Sequence, residues 1–149
     1  MYGMCEKCFE MIDLSTHKNI WWDDFQCANC GEKSNGIEVD EMILPTISQL
    51  NKKGYFTEYC CSGHGLDGRI GSMSGGGVGN NFYIMFAKGF EPKEHPKEIG
   101  INIENDSDKI IYRKIFETDF DYFRISNVIL EFNKNVYEWA KTLPERVFE

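Results

Sequence analysis

The sequence predicts an α+β fold, or a small α/β one, in which an N-terminal zinc ribbon is attached to a mixed sheet of about four strands with two packed helices. Three observations predict it. Two Cys-x2-Cys pairs punctuate residues 1–34; short segments rich in aromatic and β-branched side chains follow; and an amphipathic stretch lies on either side of them. The resulting division is a zinc ribbon over 1–34 and an α/β domain over 35–149, with a glycine-rich loop at 62–81.

The first element after the ribbon is a helix. In "NGIEVDEMILPTISQLNKKG" (35–54), Met42, Ile43, Ile47 and Leu50 recur at helical spacing, Asp40 is placed to cap the N-terminus, and Gly54 follows two lysines as a C-terminal stop. Pro45 removes one internal donor, so a kink is expected, or a start near Thr46. "YFTEYCC" and "FYIMF" (82–86) read as strands, the second lying buried. "IGINIEN" and "KIIYRKIFE" flank the turn "DSD" as a hairpin, with Ile99, Ile101 and Ile103 alternating. The polar, Pro-containing segment 87–98 connects the sheet's halves. A long C-terminal helix over about 121–143 carries Phe123, Val128, Ile129, Phe132, Val136, Trp139 and Leu143 on one stripe, and Pro144 ends it.

Composition narrows the function classes. The chain has 149 residues, 42% hydrophobic and 14% aromatic, enough for one core and a small metal-pinned appendage. Its net charge of −8 has the wrong sign for a protein that tracks phosphate backbones, so nucleic acid is not expected as a partner. The N-terminal residues lack the basic-then-apolar pattern of a signal peptide, and no apolar run approaches the ~18 residues of a membrane span. A cytoplasmic protein with no membrane partner is expected. In a reducing compartment, six cysteines read as metal ligands and free thiols rather than disulfides.

Cys5, Cys8, Cys27 and Cys30 form two knuckles with 18 residues between them, the spacing that brings four thiolates to one tetrahedral metal. Gly31 permits the tight turn after the second knuckle. Four thiolates leave no open coordination position, so one structural Zn2+ per chain is expected, folding a segment too small to fold alone. His17 is not needed as a ligand. The intervening "IWWDDF" reads as cover for a small core.

The glycine loop is the second candidate site. Residues 63–79 contain eight glycines, but no Gly-Lys-Ser/Thr follows, so this is not a Walker loop. The stretch "LNKKGYFTEYCCSGHGLDGRI" resembles the helix, strand and Cys-Ser-Gly segment of the tRNA wybutosine-synthesising methyltransferase family. Thr57, Cys61, Ser62 and Gly63 match that motif, and His64 stands where the family has arginine. The resemblance covers roughly residues 40–70 and implies methyl transfer, S-adenosylmethionine binding and a tRNA substrate. Together with the zinc module, the same pattern is similar to small uncharacterised zinc-ribbon proteins of bacteriophages of Gram-positive hosts, which implies the host cytoplasm as the setting.

Cys60, Cys61 and His64 leave several readings open. A second zinc would need a fourth ligand, for which His95 is the spare histidine; a catalytic thiol with His64 as base lacks an orienting acid identifiable by spacing. Strand alternation sends one cysteine to the core and the other toward the loop, and a plain core cysteine plus a close-fitting turn would also suffice. The reading carried forward is a ligand site of Cys61, Ser62, Gly63, His64 and Arg69 at the end of a strand, where the guanidinium of Arg69 suits phosphate or carboxylate. The functional expectation is a non-enzymatic, phage-type accessory protein that binds or sequesters a nucleotide-like small molecule in a counter-defence role. An RNA-modifying enzyme and a protein-interaction module that inhibits a host enzyme are the alternatives, and a homo-oligomer is left open.

Overall fold

A computed structural model describes residues 2–13, 26–33, 36–63, 81–96, 98–116 and 122–147. The elements are β1 (Tyr2–Cys5), β2 (Met11–Asp13), β3 (Gly36–Glu38), α1 (Leu44–Lys52), β4 (Thr57–Ser62), β5 (Asn81–Ala87), β6 (Asn102–Asp106), β7 (Lys109–Ile115) and α2 (Tyr122–Thr142). They form an α+β fold with a three-stranded sheet, β2-β1-β3, and a four-stranded sheet, β4-β5-β7-β6.

Every strand pair is antiparallel, which corrects the expected mixed sheet. The reason lies in the connections. Lys109 opposes Asp106 across a two-residue turn, a link that reverses the chain, and the two helices precede and follow the four strands instead of crossing between them. β6 forms an edge and is exposed throughout, its Glu104, Asn105 and Asp106 discouraging a further strand from pairing there.

The core lies between one face of the larger sheet and the two helices. Along β5 the side chains alternate, with Phe82, Ile84 and Phe86 buried and Tyr83 and Met85 on the opposite face. Phe82 meets Phe132 of α2 edge-on with ring centroids 4.9 Å apart, and Phe86 meets Tyr112 of β7 at 5.1 Å. On α2 the buried stripe is Ile125, Ile129, Phe132, Val136 and Ala140, with Leu143 buried just past its end. Val128 departs from the expected stripe: one residue from Ile129, it is rotated about 100° round the helix and is 48% exposed.

α1 begins at Leu44 with Pro45 in its first turn, where a missing N–H has no intrahelical acceptor to lose. The capping position belongs to Ile43, with no side-chain cap. Asp40 therefore is not the side-chain cap; at the helix start its carbonyl accepts from the Ile43 and Leu44 amides.

The small sheet is seated on the rest of the fold. Met4 and Val39 belong to the same buried cluster as the α1 and α2 side chains, and Ser48 of α1 donates to the Phe9 carbonyl at 2.6 Å. Lys52 pairs with Glu10 at 2.8 Å, and the Phe9 ring lies 5.8 Å from that of Phe56, which lies 5.5 Å from Phe90. β3, at 36–38, pairs with β1, so the ribbon's sheet takes a strand from the segment that leads into α1.

Candidate metal centre

Each cysteine pair is presented by the same backbone device. The Phe9 amide donates to the Cys5 carbonyl at 2.9 Å and the Cys5 amide to the Glu10 carbonyl at 3.0 Å. In the second knuckle the Gly31 amide donates to Cys27 at 2.8 Å and the Cys27 amide to Glu32 at 3.1 Å. Both turns need a left-handed residue after the second cysteine, supplied by Phe9 at φ 63° and Gly31 at φ 75°. For Gly31 that conformation is free of steric cost; for Phe9 it is sustained by the ring's packing on Phe56 and the bond from Ser48.

The outcome is a tetrad. The Cys5, Cys8, Cys27 and Cys30 Sγ atoms all lie within 4.8 Å of one another, with Cys5 and Cys30 at 3.8 Å and Cys8 and Cys27 at 3.7 Å. A tetrahedral ion with metal–sulfur bonds of about 2.3 Å places its sulfurs about 3.8 Å apart, so these residues fit a metal without rearrangement. Cys5 and Cys27 are buried and Cys30 is exposed, so one side of the cluster faces solvent. The Lys7 amide points at Cys5 Sγ at 3.4 Å and the Asn29 side-chain amide at Cys8 Sγ at 3.5 Å, donors that suit thiolate acceptors.

The environment of the four thiols makes them ionise unequally. Burial works against Cys8, but hydrogen bonds from Asn29, the Glu10 backbone, Cys27 and Cys30 bring it down to about 7. At Cys30 the Glu32 backbone favours the thiolate, yet desolvation and the neighbouring Cys8, Cys27 and Cys5 push it up to about 12. Four negative charges cannot share this space unless a cation offsets them.

Sequence reasoning picked out the four cysteines that the fold brings together and missed Lys7, Phe9 and Asn29. The legible signal for Phe9 was its match in position with Gly31, each following the second cysteine of a knuckle.

The turn after β4 is a different kind of site. Cys60 packs against the core, while Cys61 pairs with Tyr83 on the other face. Burial, then the charges of Asp40 and Cys61, push the Cys60 thiol up to about 12, far from thiolate chemistry at neutral pH. Ser62 is 2% exposed, and its amide and hydroxyl both donate to Asp40 Oδ2, at 3.2 and 3.4 Å. Its carbonyl accepts from Asn133 of α2 at 3.0 Å. Gly63 has φ 106°, and a Cβ there would lie 3.2 Å from Ile129 and 3.3 Å from Phe116. The Ser62–Gly63 turn is thus clamped between Asp40 and α2.

His64 and Arg69 lie outside the described residues, as do His17 and "IWWDDF". His95 is occupied elsewhere, its Nδ1 lying 2.6 Å from the Tyr112 hydroxyl. Among the described residues the cysteine tetrad is the one cluster of three or more potential metal ligands, so Cys60, Cys61 and His95 do not assemble a second centre.

No protein-family model, curated protein or solved structure matches the chain. Among the described residues, no helix is long and apolar enough to cross a membrane.

Proposed function

We propose that the tetrad holds one zinc ion in a structural role and that the chain is a zinc-stabilised accessory protein whose work is binding rather than catalysis. One observation carries the metal reading: two knuckles with matching hydrogen bonds and left-handed turns bring four thiols to the spacing of a tetrahedral ion. Zinc suits four thiolates and needs no open position; iron suits the same donors and is the competitor. Metal analysis of protein purified without added metal is expected to give one zinc per chain, and cobalt substitution to give a tetrathiolate charge-transfer spectrum. A red iron-loaded protein, or a chain that folds identically after chelation, would overturn this reading.

A second reading places a nucleotide-like small molecule at the turn of Cys61, Ser62, Gly63, His64 and Arg69. What favours it is the rigid root of the loop, held by Asp40 and Asn133. Since the Ser62 donors already serve a carboxylate, a phosphate would depend on Arg69 and His64. Calorimetry against nucleotides and cyclic nucleotides is expected to show binding that is lost in Arg69→Ala. Sequestration of an immune signal in a phage-infected host is the setting that the phage resemblance suggests. S-adenosylmethionine binding in the same assay would instead favour an RNA-modifying enzyme.

A further inference from the structure

We propose that the cysteine tetrad is an oxidant-sensitive switch, in which a hydroperoxide exchanges the metal cross-link between the two knuckles for a Cys5–Cys30 disulfide and releases the ion. This inference rests on the reading of the tetrad as a zinc site.

Accessibility selects the sulfur that reacts. Cys5 and Cys27 are buried and Cys8 is half-buried, but Cys30 is exposed, so a small oxidant meets the cluster at one ligand. A metal holds its cysteines as thiolates, and a thiolate open to solvent is the form that peroxides oxidise. Cys60 and Cys61, which strand alternation turns to opposite faces of the sheet, are not placed to close on each other in this way.

The second sulfur is already in place. Cys30 Sγ lies 3.8 Å from Cys5 Sγ, while Cys8 and Cys27 face each other at 3.7 Å. The Cys30 sulfur attacks one peroxide oxygen, the O–O bond breaks, and the departing hydroxide takes a proton to become water, leaving a sulfenic acid. The Cys5 sulfur then attacks that sulfur and displaces its hydroxyl as a second water. Two electrons pass from the sulfur pair to the peroxide, and the ion leaves with its charge unchanged. The new bond draws the sulfurs from 3.8 Å to about 2 Å, and the two remaining thiols are too few to retain a tetrahedral ion.

The two knuckles are held differently, which gives the switch its moving part. Cys5 ends β1 beside Met4 of the main core, and the first knuckle is fastened to α1 through Phe9 and Glu10. Among the described residues, the hydrogen bonds from 26–33 to the first knuckle all run through sulfur: Cys30 to Cys5, Cys27 to Cys8 and Asn29 to Cys8. The disulfide takes over this tie when the ion is gone, so the oxidised ribbon keeps its knuckles together and a thiol reductant can restore all four ligands.

The test treats the zinc-loaded chain with a small excess of hydrogen peroxide. A chromogenic chelator reads zinc release, mass spectrometry reads the disulfide, and a parallel sample with dimedone traps the sulfenic acid. Zinc release, a linked Cys5–Cys30 peptide, a dimedone adduct at Cys30, and renewed zinc binding after dithiothreitol are expected. Cys30→His keeps a metal ligand but removes the reactive sulfur, and its release is expected to be about tenfold slower. Zinc retained under peroxide, a different cysteine pairing, trapping at another member of the tetrad, or undiminished release by Cys30→His would each overturn the proposal. Trapping in the wild type decides the matter if Cys30→His does not fold. A chain that carries no zinc before peroxide is added would sink the zinc reading, and this inference with it.

Discussion

Lys53 closes the C-terminus of α2 by donating from Nζ to the Leu143 carbonyl at 2.6 Å. The same ammonium reaches the carbonyls of Ala140 at 3.0 Å and Lys141 at 2.8 Å. These are among the last carbonyls of a helix, which have no intrahelical donors and carry the negative end of its dipole. Lys53→Met is expected to destabilise the fold by about 1–2 kcal/mol, a fall of roughly 3–6 °C in Tm by circular dichroism. An unchanged Tm would show that water replaces the ammonium without loss.

Removing the metal is expected to affect more than the ribbon. Because Phe9, Met4 and Glu10 all contact the main body, chelation should lower the transition of the whole chain as well as unfold residues near the knuckles. Cys27→Ser, at a buried ligand, should abolish metal binding and reproduce the chelated transition. Two independent calorimetric transitions, with the main one unmoved, would show that the ribbon melts alone.

Two glycines with left-handed backbones should respond differently to alanine. At Gly31 an added Cβ meets nothing within 4 Å, leaving only backbone strain of about 1–2 kcal/mol. At Gly63 the same strain is joined by close approach to Ile129 and Phe116, so Gly63→Ala is expected to cost about 2–4 kcal/mol. Equal denaturation midpoints for the two variants would refute the packing difference.

The Asp40–Ser62 contact can be measured by a double-mutant cycle. Asp40→Ala leaves the amide and hydroxyl of a buried serine without this acceptor, at an expected cost of about 2–3 kcal/mol. The cost should shrink in a Ser62→Ala background, where the hydroxyl is gone. Strict additivity would mean that the hydroxyl contributes nothing to the contact.

Cys60 sets an alkaline dependence. A thiol whose folded value is raised favours the folded state while it keeps its proton; that contribution is complete below the ordinary thiol range, near 9, and is lost as pH rises toward about 12. Stability should therefore fall over that interval, with a shallower slope in Cys60→Ala. At pH 8 the folded chain should resist iodoacetamide at Cys60, and mass spectrometry showing rapid alkylation there would contradict the burial.

Much of this fold was legible because it obeys short-range rules. The knuckle spacing located the cysteine tetrad, the aromatic and β-branched run located β5, and "DSD" located the hairpin. The errors came from tertiary choices. Asp40 has the chemistry of a helix cap, but β4 ends beside it and offers two donors, so its carboxylate serves Ser62. Sheet direction depends on how the chain reverses, which a list of apolar runs does not encode. Asn133 reads as a polar interruption in an amphipathic helix; only once β4 ends beneath it does its amide become the anchor of a turn.

The aromatic stack that starts at Phe9 has a temporal consequence. It runs from residue 9 to 56 to 90 and ends with the Arg146 guanidinium 4.6 Å from the Phe90 ring centre, so its last member is near the C-terminus. During synthesis the knuckles emerge early and can capture their ion at once, whereas the stack that seats them is completed only when residue 146 leaves the ribosome. The proposed metal capture therefore needs only residues 5–30, whereas the stack that seats the ribbon needs residue 146, so the two are separable steps of folding.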